Sequence, residues 1–208
     1  MLSGIDHHFG SKPKTGVFHS ISGMLALISE ARGTELYGLM LFDPPIGRHP
    51  YSYAAFEAAA ARMSKLAERR TPRFHSKEQF LELLPYSPSL QRVVPGVFRL
   101  LADTTLRELP NGQGYELCCP PAYEARIIEY VSGFAVLVEL DHMLCPVKVL
   151  GADLTLPYSY LPTFDMHHVQ MADYDFIPES THFLPLEQPT ECVAVLQEFL
   201  TRHDLKSG

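Results

Sequence analysis

One short stretch near the N-terminus constrains the fold of this chain more than any other. An apolar run over residues 15–18 leads into the polar pair His19-Ser20, and a helical pattern begins soon afterwards, at Met24. A buried strand that turns sharply into a helix lifts the Ser20 hydroxyl to the carboxyl end of a sheet, where the helix N-terminus can stabilise an oxyanion. The same pattern fits a plain strand-to-helix junction in which Ser20 caps the helix. The stretch alone leaves both interpretations open.

A second apolar run follows at the spacing of a βαβ unit. Residues 36–42 are continuously apolar and lie between Gly33 and the breaker sequence Asp43-Pro44-Pro45. Such a run is typical of a strand that is buried on both faces of a parallel sheet. Strand, helix and strand within about thirty residues therefore predict the start of an α/β fold.

The pattern changes between residues 46 and 141. This region is predicted to be mostly helical, with helices over residues 53–70, 76–84, 95–108 and 121–131. It shows no alternation of strands and helices. Its position between two strands of the predicted sheet favours a helical cap over an active site, and the alternative is a second, purely structural helical layer.

The alternation of strands and helices resumes after this region. The predicted elements are a strand over residues 145–150, a helix over 163–172, a strand over 174–178 and a helix over 191–203. Asp153 follows the first of these strands and His182 follows the second. Since the carboxyl ends of parallel strands meet at one edge of a sheet, Ser20, Asp153 and His182 are expected at the same edge.

Three segments of the chain resemble those of a known family, the α/β-hydrolases. Residues 146–153 (PVKVLGAD) are similar to the P-V-strand-G-x-D segment of that superfamily, and residues 181–189 (THFLPLEQP) resemble its G-H-x-x-x-x-E-x-P histidine loop. The stretch around Ser20 resembles its nucleophile elbow, and the chain order Ser, Asp, His is that of its triads. The sequence departs from the elbow pattern at Phe18, where the family usually has glycine.

The resemblance implies a serine hydrolase acting on a small, ester-like substrate. His182 would take the proton of Ser20, which attacks a carbonyl carbon and forms an acyl-enzyme. Asp153 would orient the histidine, and Asp43, which ends the preceding strand, occupies an alternative position that some members of the family use. The backbone N–H of Ile21 would be a donor to the oxyanion.

The resemblance also implies an α/β fold with a mainly parallel sheet. Residues 1–45 and 142–208 would form the hydrolase core, and residues 46–141 would be inserted as a helical cap. Fourteen residues precede the first predicted strand, whereas a full member of the family has about four strands there, including the loop with the second oxyanion donor. We therefore expect an incomplete core that self-associates through the open edge of strand 15–19 and hydrolyses simple esters weakly.

Two other functions stay open at this stage. The same triad and cap occur in hydrolases that cleave a carbon–carbon bond next to a ketone. Phe18 and the missing strands favour instead a catalytically silent relative that binds a small molecule or a partner.

Composition narrows the range of partners. Seventeen Lys and Arg against 24 Asp and Glu give a formal net charge of −7, which predicts no nucleic-acid surface. No apolar run approaches the roughly 20 residues that cross a bilayer, and the N-terminus lacks a signal-peptide pattern, so we expect a cytoplasmic protein without membrane contact. The four cysteines contain no Cys-x-x-Cys motif. We therefore expect neither a disulfide framework nor a metal site, and no cofactor.

Overall fold

The computed structural model of the chain describes residues 14–29, 36–46, 50–156 and 172–204, together with Ile5, His7, His8 and Gly10. The helix predicted over residues 163–172 lies outside the described residues, apart from Ala172, which begins a strand. The sequence predicts that the first helix continues to about Arg32 and stops at Gly33, but the helix ends at Leu27, with Ile28 as its C-cap. Gly33 itself lies outside the described residues. No helix in the described part of the chain is both long and apolar enough to span a bilayer.

Strands and α-helices are numbered here in chain order. The strands are β1 (Thr15–His19), β2 (Gly38–Phe42), β3 (Arg73–Phe74), β4 (Leu106–Glu108), β5 (Tyr115–Leu117), β6 (Val147–Gly151) and β7 (Ala172–Phe176). The helices are α1 (Ile21–Leu27), α2 (Pro50–Glu68), α3 (Lys77–Leu83), α4 (Val97–Thr105), α5 (Pro121–Ala135), α6 (Leu184–Glu187) and α7 (Pro189–Arg202). Short 3₁₀ turns span Leu84–Tyr86, Pro88–Leu90 and Leu140–His142.

Four parallel strands form the main sheet in the order β1-β2-β6-β7. The β1–β2 register pairs Thr15 with Gly38 and His19 with Phe42. Every residue of β2 and of β6 is buried, as expected of inner strands with uninterrupted apolar sequences. The predicted α/β fold with a mainly parallel sheet is confirmed. Within the described sheet β1 lies at one edge, and its Val17 side chain is 47% exposed.

Alternate residues of the inner strands belong to two separate apolar cores, because successive side chains of a strand point to opposite faces. One core covers the face against α1, α2 and α5, and its sheet residues are Leu39, Leu41, Val147 and Val149. The other covers the face against α6 and α7, and its sheet residues are Met40, Phe42 and Leu150. The main sheet is thus the middle layer of three.

The region between β2 and β6 differs from the mostly helical structure that its sequence predicts. It contains a small antiparallel sheet in the order β3-β5-β4, and α4 ends at Thr105 because the chain enters β4. Strands of two or three residues are too short to produce a readable alternation of apolar and polar side chains. The region around residues 134–140 completes α5 and then forms a 3₁₀ turn.

The two long helices of this region, α2 and α5, pack against each other. Phe56 of α2 and Val131 and Ala135 of α5 belong to the same buried cluster as Leu39 and Leu41 of the sheet. These helices therefore contribute to the structural layer that covers the sheet. The boundaries at residues 46 and 141 stay a prediction.

Because α2 shares the core of the sheet, we expect Phe56→Ala to lower the free energy of unfolding of the whole protein by about 3–5 kcal/mol. Phe56 is 2% exposed, whereas Tyr86, the matched control, is 83% exposed. Tyr86→Ala should change the free energy by less than about 0.5 kcal/mol. Chemical denaturation monitored by circular dichroism measures both. A separate early transition in the Phe56→Ala variant, with the main transition unchanged, would contradict a shared core.

Candidate active site

Ser20 alone makes the turn between β1 and α1. Its backbone has φ 55° and ψ −131°, a conformation that costs a non-glycine residue on the order of 1–3 kcal/mol. The Ser20 N–H donates to the Phe42 carbonyl over 2.8 Å, and the Ser20 carbonyl accepts from the Gly23 N–H over 2.9 Å. The hydroxyl makes no capping bond to α1. The interpretation of Ser20 as a helix cap is therefore wrong, and its hydroxyl is free to point elsewhere.

Phe18, the departure from the elbow pattern, fits because Gly16 leaves room for its ring. A Cβ on Gly16 would lie 2.5 Å from Phe18 Cε2, which is a clash. The bulk that the family pattern excludes two residues before the serine is thus accommodated by the missing side chain of Gly16. Phe18 itself packs against the core beneath α1.

Ser22 and Ile21 occupy the first turn of α1. The Ser22 hydroxyl donates to the His19 carbonyl over 2.6 Å and accepts from the His19 N–H over 3.2 Å. It therefore closes the end of β1 on the side away from β2. The Ile21 N–H directly follows Ser20 at the first helical position, where a backbone amide has no partner within its own helix. The role of Ile21 as an oxyanion donor stays a prediction.

His182 lies beside Ser20, on the loop between β7 and α6. Its Nε2 is 2.9 Å from Ser20 Oγ, and the residue is 7% exposed. The loop is held from within by Glu187, whose buried carboxylate accepts from the Thr181 N–H over 2.6 Å and also from the Thr181 hydroxyl. This contact explains why the histidine-loop motif contains an acidic residue: Glu187 fixes Thr181, the residue before the histidine.

The carboxylate that contacts His182 belongs to Asp43. Asp43 Oδ2 is 2.6 Å from His182 Nδ1, and Asp43 Oδ1 accepts from the Ala152 N–H over 3.3 Å. Asp43 is completely buried and directly follows β2, with φ 41°. The preference for Asp153 as the partner of His182 is therefore wrong in this structure. Both aspartates follow inner strands, and the strand spacing in the sequence could not distinguish them.

Asp153 turns its carboxylate toward the base of the His182 loop instead. It accepts from the Thr155 hydroxyl over 2.6 Å, from the Thr155 N–H over 2.9 Å and from the Glu179 N–H over 2.9 Å. The hydrogen bond from the Thr155 hydroxyl, followed by that from Glu179, holds the pKa of Asp153 below its usual range. The Asp153 N–H also donates to the Ser180 carbonyl over 2.9 Å. Asp153 thus anchors the loop that carries His182.

The region between β2 and β6 contacts both this loop and α6, the helix that follows it. Arg92 donates from Nε over 3.1 Å and from a terminal nitrogen over 2.7 Å to the carbonyl of Glu179. The Val94 N–H donates to the Leu186 carbonyl over 2.9 Å. Glu179 is a non-glycine residue in the left-handed region, with φ 58°. Arg92 holds its carbonyl, and Asp153 holds its N–H.

His19 is a further residue of the site whose contact the sequence did not reveal. Its Nε2 lies 2.7 Å from the His182 carbonyl, and its ring centroid is 4.8 Å from that of His182. A carbonyl only accepts, so the Nε2 of His19 carries the proton. Burial first, and then the neighbouring His182, lower the pKa of His19. The ring of His19 is therefore neutral, and it donates a hydrogen bond to the backbone carbonyl of His182.

Together these contacts form one series of hydrogen bonds from Asp43 through His182 to Ser20. In such a series the imidazole can accept the hydroxyl proton at Nε2 while the carboxylate holds the Nδ1–H and stabilises the imidazolium. In the described ranges no three His, Cys, Asp or Glu side chains are grouped so that they could hold a metal ion. The chemistry that the arrangement permits is activation of a serine hydroxyl by a buried histidine.

The comparisons with known proteins agree on the fold. No protein-family model matches the sequence, and no curated protein is significantly similar to it. Among solved structures, E-2-(acetamidomethylene)succinate hydrolase superposes with a TM-score of 0.66 at 14% identity, over 96% of this chain and 71% of that one. An esterase from a marine microorganism gives 0.64 at 17% identity, over 96% and 74%.

A peroxisomal α/β-hydrolase of Saccharomyces cerevisiae gives a TM-score of 0.64 at 13% identity, over 100% of this chain and 58% of that one. At these identities the likeness concerns the backbone alone. These neighbours agree with the strand order and with the turn at Ser20 in pointing to one fold. The resemblance noted from the sequence is confirmed at that level. The chain has the fold of the α/β-hydrolase superfamily.

Proposed function

We propose that this protein is a serine hydrolase that cleaves a small ester-like substrate, with Ser20 as nucleophile, His182 as general base and Asp43 as the orienting acid. One observation carries the proposal: Asp43, His182 and Ser20 are joined by hydrogen bonds of 2.6 Å and 2.9 Å. The names of the structural neighbours, which are hydrolases and esterases, support the same class of reaction.

The proposed reaction follows from these contacts. His182 Nε2 takes the proton of Ser20 as its oxygen attacks the carbonyl carbon, and the Nδ1–H of the resulting imidazolium stays on the Asp43 carboxylate. Collapse of the tetrahedral intermediate releases the alcohol, which receives the proton from His182, and leaves an acyl group on Ser20. Water, deprotonated by His182, then hydrolyses the acyl-enzyme.

The proposal assigns the developing negative charge to the N-terminus of α1. The Ile21 N–H follows the nucleophile directly and has no helical partner, and the helix dipole favours an anion at this end. The positive φ of Ser20 supports this assignment, because strain at a nucleophile that is held by its surroundings is a common feature of catalytic turns.

We also propose that residues 46–141 serve as a cap and not only as a structural layer. The contacts of Arg92 with the loop of His182 and of Val94 with α6 support this role, since they bring the middle of this region to the edge of the sheet where Ser20 lies. In this arrangement α2 and α5 cover the sheet, and the segment between them limits access to the site.

The first test is covalent labelling by a fluorophosphonate probe, in which Ser20 Oγ bonds to phosphorus and fluoride leaves. We expect one added phosphonyl group per chain by intact mass, located at Ser20 by peptide mapping. The Ser20→Ala variant, which should fold normally because it loses only an oxygen, should remain unlabelled. A folded wild-type protein that fails to react would support instead the silent, ligand-binding relative.

The second test separates the two aspartates. Asp43→Asn should lower kcat for an aryl ester by about 10⁴-fold, because the histidine then loses the partner that fixes its tautomer. Asp153→Asn keeps an acceptor oxygen toward Thr155 and should retain activity to within about tenfold, a loss that a modest shift of the loop explains. Steady-state kinetics on the two variants decides the question. The reverse ranking would restore Asp153 as the acid.

The third test concerns Arg92 as a positioning residue. Arg92→Met should lower kcat by about 10- to 100-fold, because misplacing a catalytic group by about 1 Å has effects of that size. KM should change little, since Arg92 does not belong to the proposed nucleophile site. Arg92→Lys keeps one donor and should recover part of the loss. Arg99→Met is the matched control, because Arg99 is an exposed residue of α4 in the same region, and an equal loss in that variant would contradict a specific role.

A further inference from the structure

Helix α5 carries a row of large apolar side chains on its exposed face. Their exposed fractions are 67% for Tyr123, 48% for Ile127, 52% for Tyr130, 40% for Phe134 and, just past the helix end, 58% for Leu137. We call these five residues the α5 stripe. Single exposed apolar residues are ordinary on protein surfaces, but a contiguous row is typical of an interaction site.

The α5 stripe is separate from the face by which α5 joins the core. The buried residues of the helix are Ala125, Val131, Ser132 and Ala135. At 3.6 residues per turn, the centre of the stripe lies roughly 140° around the helix from the centre of these residues. An ordinary surface helix carries one apolar face toward the core and a polar face toward solvent; the second apolar face of α5 therefore calls for a partner.

The spacing within the stripe points to the kind of partner. Within the helix, the steps from Tyr123 to Phe134 are four, three and four residues, which is the repeat of a coiled-coil seam, and Leu137 follows three residues later, past the helix end. The charged residues of this helix, Glu124, Arg126 and Glu129, border the stripe, as charged residues border the apolar seam of a helix pair, and none stands within it. A straight seam on one helix is complementary to itself when a two-fold axis passes through its centre, here near Tyr130.

The size of the stripe reaches the lower limit for such a pairing. An aromatic side chain offers about 150–250 Å² and an aliphatic one less, so at these exposures the five side chains present at most about 500 Å² per copy. A pairing that covered all of this area would bury about 1,000 Å² over two copies, the lower limit for a specific interface. The rings of Tyr130 and Phe134 lie 6.2 Å apart and are already in contact along the helix, so that less order is lost on association.

We propose that the α5 stripe is a dimer interface, in which α5 of one copy packs against α5 of a second copy across a two-fold axis. This surface lies on a different element from the open edge of β1, through which self-association is expected from the sequence. The inference does not depend on the proposed hydrolase activity.

Sedimentation equilibrium over a range of concentrations tests the interface. The full chain of 23.4 kDa should form a dimer at micromolar concentrations, and Ile127→Glu should raise the dissociation constant by at least about 100-fold. Val193→Glu is the matched control, because Val193 is 50% exposed on α7, at the opposite face of the sheet. It should leave the dimer intact, as should Val17→Glu at the edge of β1.

Three outcomes would overturn the proposal. A wild-type protein that is monomeric at 100-micromolar concentrations has no such interface. A dimer that persists in Ile127→Glu but dissociates in Val17→Glu associates through β1. If the wild-type protein is a monomer and Ile127→Glu strongly lowers its free energy of unfolding, the stripe is covered by another part of the same chain.

A cross-linking variant keeps the test independent of any effect of a buried charge. With exposed Cys118 and Cys119 replaced by serine, Tyr130→Cys lies near the expected axis and should yield a disulfide-linked dimer under mild oxidation. Val193→Cys in the same background should not. Equal cross-linking of the two variants would contradict the two-fold packing of α5.

Discussion

The parallel pairing of β1 with β2 is the constraint on which the rest of the site depends. It sets His19 opposite Phe42, so that the next residue of each strand, Ser20 and Asp43, ends up at the same edge of the sheet. Both residues have positive φ, and each adds one hydrogen bond beyond the end of its strand. The Ser20 N–H donates to the Phe42 carbonyl, and the Asp43 N–H donates to the Leu150 carbonyl. Two strained turns are thus held by inner strands, which is where a fold can best tolerate strain.

The loop of His182 is assembled from distant parts of the chain. Glu187 holds it from within, Asp153 holds its start from the end of β6, and Arg92 reaches it from the insertion. Each of these three side chains bonds to a backbone group of the loop, so each fixes the path of the loop and leaves the imidazole free to move a proton. His19 adds a fourth support, since its ring contacts the carbonyl of His182 itself. The precision of a histidine on a loop therefore depends on residues far from it in sequence.

The region between β2 and β6 has two kinds of contact in this fold. Its long helices contribute Phe56, Val131 and Ala135 to the core that covers one face of the sheet, while its middle segment contacts the edge of the sheet at the loop of His182. A region with both kinds of contact couples the stability of the sheet to the geometry of the site. The exposed second face of α5 adds a surface whose pattern is that of a helix pair and not of a solvated helix.

The sequence by itself determined the four strands of the main sheet, the turn at Ser20 and the histidine loop, because these depend on local patterns: apolar runs, small residues at a turn and a motif with its acidic residue. Only the tertiary structure decided which aspartate meets His182, because Asp43 and Asp153 both follow buried strands, and the direction of each carboxylate depends on the path of the chain beyond its strand. The contacts of His19 and Arg92 escaped prediction for a similar reason, because their partners lie 163 and 87 residues away in the sequence. The short strands between β2 and β6 escaped it because two or three residues are too few to show an alternation of apolar and polar side chains.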